Sequence, residues 1–117
     1  MSSGVFWSFL ALTVLVEVPV YGLLLVRFGG VRVWPALLTG LGVNALGYPL
    51  FAMALVPAAG AALPPLAAIA AAEVAVCVLD AGLVRWWLRT DTGLAIAASL
   101  LANGASVVAG WIVVVLA

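Results

Sequence analysis

The chain has 117 residues, of which 68% are hydrophobic and only 7% charged, and its formal net charge is zero. A soluble domain carries charge on roughly a quarter of its residues, so this composition excludes one and makes lipid the expected solvent. With no histidine, no lysine, one cysteine (Cys77) and no basic run, the sequence offers no usual general base, no internal disulfide and no nucleic-acid surface.

The N-terminal MSSGVFWSFL has no basic region and no small-residue cleavage site, so it reads as the start of the first span. That span is expected over about residues 6–26, ending in RFGGVR, where Arg27, two glycines and Arg32 make a polar turn. The second runs over about 34–55 and opens with Trp34-Pro35; proline in a first helical turn sacrifices no hydrogen bond. VPAAGAALPP (residues 56–65), with three prolines and a glycine, reads as a loop. The third span covers about 66–88, RTDTG (89–93) is the next loop, and Asp91 is placed to cap the uncharged fourth span over about 94–116. Each stretch has the ~20 apolar residues that a membrane crossing needs. The expected fold is therefore an all-α integral membrane protein, a four-transmembrane-helix bundle forming a single transmembrane domain over 1–117.

Arg27 and Arg32 flank the first loop, Arg85 and Arg89 the third, and the opposite side has no basic residue. By the positive-inside rule, loops 27–33 and 89–93 are expected in the cytoplasm and both termini outside, in a multi-pass cell-membrane protein. A weak repeat accompanies this pattern. Glu17-Val-Pro-Val is answered by Glu73-Val-Ala-Val, and each is followed by an arginine turn and a helix with a central asparagine, Asn44 and then Asn103. Two hairpins related by an axis along the membrane normal would produce it; so would chance similarity between apolar helices.

Glu17 lies ~15 Å from either edge of its span, close to the midplane. An acid at that depth is costly if it faces lipid, so it is expected to face the bundle. Thr13, Glu17 and Tyr21 form one stripe at four-residue spacing, and Pro19 leaves the Leu15 carbonyl without its helical partner. Asn44 and Tyr48 form a second stripe, with Pro49 freeing the Ala45 carbonyl; Glu73, Cys77 and Asp80 form a third, and Ser99, Asn103, Ser106 and Gly110 a fourth. Asn44 and Asn103 fall level with Glu17, while Glu73 and Asp80 lie ~10 Å apart along one helix, toward the outer and inner sides. If the stripes converge, Glu17, Glu73, Asp80, Asn44 and Asn103 make an oxygen-rich site, supported by Thr13, Tyr21, Tyr48, Ser99 and Ser106. Such donors suit protons or hard cations and not soft metals.

Each stripe also has a plainer reading. Amides and hydroxyls in membrane helices are commonly packing glue, Cys77 suits a small core position, and Asp80 is five residues from Arg85, a spacing that allows a juxtamembrane ion pair. Glu17 and Glu73 resist that reading best, because no basic residue lies deep enough to meet them. No histidine, lysine, paired cysteine or phosphate-binding glycine loop supports enzymatic chemistry, and no cofactor is expected. The expected function is binding or translocation of a proton, cation or small cationic solute, by the chain alone or as a homo-oligomer embedded in the bilayer. The alternative is an accessory or assembly subunit whose buried acids and amides meet helices of a larger membrane partner.

Overall fold

The structure is a computed structural model and describes residues 3–116. Helix α1 spans Ser3–Gly29 and α2 spans Val33–Leu50; α2 runs without a break through a π-helical turn at Phe51–Leu55 into the short α3, Val56–Gly60. Helices α4, Pro65–Leu88, and α5, Thr92–Leu116, complete the chain, and no strand occurs among the described residues. Four helical stretches, Ser3–Gly29, Val33–Gly60, Pro65–Leu88 and Thr92–Leu116, are long and apolar enough to cross a membrane.

One boundary departs from the sequence expectation. Residues 56–60 are helical, and the connection shrinks to residues 61–64. The π turn, in which the Val56 amide bonds to the Phe51 carbonyl, carries the helix on into α3 with Pro57 in its first turn. Amides of Ala61 and Leu63 then bond to the carbonyls of Pro57 and Ala59, and Pro64, in extended backbone, starts α4. The other turns follow the sequence. Gly30 takes a left-handed conformation (φ 65°) after α1, Arg89 does so after α4 (φ 54°), and Asp91 Oδ2 accepts from the Leu94 amide at 3.1 Å to cap α5.

Helix α1 packs against α2 and α5, and α4 packs against α5, α2 and α3. The four long helices therefore stand in the ring order α1, α2, α4, α5, within an envelope of 40 × 30 × 20 Å. Small residues set the close crossings. A Cβ on Gly40 would lie 3.1 Å from Val18 Cα and 3.2 Å from Tyr21 Cβ, so α1 and α2 touch nearly backbone to backbone there.

The tight core occupies the half of the bundle nearer the arginine-bearing turns: Tyr21, Leu25, Ala36, Val84, Ala95 and Ala98 are all essentially inaccessible. Outward faces are apolar, with Leu15, Leu23, Met53, Val78 and Val108 exposed. Tryptophans stand at both ends, Trp34, Trp86 and Trp87 beside the arginines and Trp7 and Trp111 at the other end, all exposed.

A central cavity with an acidic floor

Beyond this core the helices enclose a half-open cavity of about 610 Å³ that runs toward the end bearing the termini. Its floor is the level at which Glu17, Asn44, Asp80 and Asn103 meet, one from each long helix. Glu17 is 2% exposed and Asp80 3% exposed, and each has one carboxylate oxygen, Oε1 and Oδ1 respectively, without a hydrogen-bond partner.

Asp80 is positioned from two sides. Asn103 Nδ2 donates to its Oδ2 at 3.0 Å, and the Gly47 backbone of α2 approaches Oδ1 so closely that a Cβ there would lie 2.9 Å away. Ser99 ties the same helix pair one turn lower, donating to the Cys77 carbonyl at 2.7 Å. The two asparagines are anchored alike. Asn44 Nδ2 donates to the Gly40 carbonyl and Asn103 Nδ2 to the Ser99 carbonyl, each four residues back at 2.8 and 2.9 Å. Ser106 faces the Glu17 carboxyl from α5 while its own hydroxyl donates to the Asn103 carbonyl at 2.9 Å.

Glu73 and Thr13 line the cavity above the floor, and Tyr48 stands in its wall, its ring 5.3 Å from that of Phe6. Tyr21 lies beneath the floor, fully buried, its hydroxyl facing Ser99 and without a hydrogen-bond partner. No arginine lines the cavity, and among the described residues no group of three His, Cys, Asp or Glu side chains could hold a metal ion. Arg85 donates to the Thr90 carbonyl at 2.7 Å and closes its own turn, so Asp80 is left to the cavity.

Two sequence expectations need adjusting. Cys77 is absent from the cavity, where Val76 takes its place on α4; Cys77 instead lines an outer groove between α4 and α5. Pro19 and Leu15 are exposed on the side of α1 away from Glu17, so the carbonyl freed by Pro19 adds nothing to the site. The second follows from helical geometry, since two residues turn the helix by about 200°.

The sequence reading missed the apolar wall, formed by Phe9, Phe51, Val107 and Trp111, and the glycine at Gly47. Phe9 continues the four-residue stripe of Thr13, Glu17 and Tyr21, a signal that was present. Phe51 had none, because the π turn that begins there sets its direction. Comparison of the chain with protein-family models, with curated proteins and with solved structures finds no match.

Proposed function

We propose that the chain is a multi-pass membrane protein whose helices surround a binding site for a proton, a cation or a small cationic solute. One observation carries the reading. Two carboxyl groups sit almost wholly buried at the foot of a cavity, each with an unpartnered oxygen, and no arginine lines that cavity. Groups of this kind are costly as pure architecture and are retained where they bind something. The spans, the apolar outer faces and the tryptophans at both ends support residence in a bilayer. The arginine bias supports a cytoplasmic placement of residues 27–33 and 89–93.

In this reading Glu17 and Asp80 bind the charge, Asn44 and Asn103 contribute amide oxygens, and Glu73 lies on the approach. The matched anchoring of Asn44 and Asn103 supports the internal repeat, with α1 opposite α4 and α2 opposite α5 in the ring. Self-association of the chain is part of the proposal.

The accessory-subunit reading is favoured by one feature, the end of α5, where residues 111–116 are exposed throughout and offer a surface to another helix. Native mass spectrometry of gently extracted protein separates the two. A homo-oligomer supports the binding site, and Glu17→Gln should then abolish proton or cation flux in liposomes without lowering protein abundance. A stoichiometric larger partner, lost on the same substitution, would replace it with the accessory role.

A further inference from the structure

We infer that the cavity takes an amphipathic ammonium ion, a protonated amine with at least two N–H groups and an aromatic or branched apolar substituent. The inference rests on the reading of the floor as a cation site and specifies its ligand.

The donor inventory of the floor points this way. Asn44 Nδ2 is engaged by the Gly40 carbonyl, and Asn103 Nδ2 by Asp80 and Ser99. The hydroxyls of Ser99 and Ser106 both donate to backbone carbonyls. What remains without a partner is acceptors: Glu17 Oε1 and Asp80 Oδ1, both buried, on two side chains that line the foot of the cavity. A buried acceptor left unpaired is costly, more so if it is charged, so two such oxygens at the foot of one cavity call for a ligand with two donors. A primary ammonium presents three. A quaternary ammonium presents none, and would leave both oxygens unpaired.

Shape and lining exclude a bare ion as the best-fitting occupant. An alkali cation at the floor would leave most of the 610 Å³ to water, yet much of the wall above is apolar, with Phe9, Phe51, Val76, Val107 and Trp111 set between Thr13, Tyr48 and Glu73. Ligand sites of this size, with apolar walls and a few convergent polar groups, fit organic molecules. Aromatic rings near the approach also favour a cation passing over their faces.

The test uses full-length protein in lipid nanodiscs, with binding followed by calorimetry and by Trp111 fluorescence in a variant whose other tryptophans are replaced by phenylalanine. The probes are 2-phenylethylamine, its N-methylated series through the trimethylammonium, neutral 2-phenylethanol, and sodium. The expected result is saturable binding of phenylethylammonium, at least tenfold weaker binding once all N–H groups are methylated, and none of the alcohol. Asp80→Asn and Glu17→Gln should each weaken binding at least tenfold. Equal or tighter binding of the quaternary ion would overturn the donor argument. Binding of sodium alone would overturn the organic ligand while leaving the cation site intact. If folded protein binds none of these cations, the cation site and its ligand both fall.

Discussion

Asp80 meets the Asn103 amide through one oxygen, and the Gly47 backbone crowds the other. The two contacts have separable consequences. Asn103→Leu removes a donor from a buried carboxyl and should cost about 1–2 kcal/mol, within the range of hydrogen bonds between membrane helices. Thermal unfolding in detergent measures it, and an unchanged midpoint would show that Asn103 does not hold Asp80. Gly47→Ala should act differently. Its new Cβ, 2.9 Å from Oδ1, must displace the carboxylate, so cation binding should weaken about tenfold while stability stays within about 1 kcal/mol of the parent. Binding and melting on one preparation would separate a displaced ligand group from a damaged fold. Glu17 has no comparable clamp. Its Oε1 lacks a partner and Ser106 is the side chain facing its carboxyl, the looser setting expected of a group whose partner arrives from outside.

The α1–α2 crossing depends on Gly40, and its helix supplies an internal control. A Cβ at Gly40 would meet Val18 and Tyr21, whereas at Gly42 nothing lies within 4 Å. Gly40→Ala should therefore destabilise the protein by about 1–2 kcal/mol despite the better helix propensity of alanine, because backbone cannot yield as a flexible side chain can. Gly42→Ala should be neutral or stabilising by up to about 1 kcal/mol. Equal effects on the melting temperature would mean that α1 and α2 do not touch at Gly40. Elements were legible in the sequence to different degrees. The four apolar stretches were plain, since charge and glycine mark their ends at Arg27, Gly30, Arg89 and Asp91. Four-residue stripes put Glu17, Asn44 and Asn103 each on a polar face, and their depth from the span ends set them level. The continuation through Pro57 was hidden, because a π turn has no sequence signature and changes what a proline does to the helix. Periodicity also left the axis-facing edge of α4 open between Val76 and Cys77. Packing decides it: Ser99 binds the Cys77 carbonyl and turns that edge toward α5.

At the scale of the whole molecule, a closed half and an open half are stacked along one axis. The closed half, around Tyr21, Leu25, Val84 and the alanines, lies on the side of the arginine-bearing turns, and the cavity faces the side of the termini. If the arginines lie in the cytoplasm, the acidic floor is reached from outside the cell, and a soluble cation meets Glu73 before Glu17 and Asp80. The single native cysteine makes this direct to test. In a Cys77→Ala background, a reporter cysteine at Gly30 lies in the first turn, and one at Ala62 lies in the connection before α4, both exposed. Intact cells treated with a membrane-impermeant maleimide should label the Ala62 reporter and spare the one at Gly30 until the membrane is permeabilised. The reverse pattern would place the cavity mouth in the cytoplasm, and the same site would then draw on the internal pool of cations. Labelling of both in intact cells would reveal two orientations in one membrane. The four-to-none arginine bias would then have failed to set topology, and the floor would be accessible from either side.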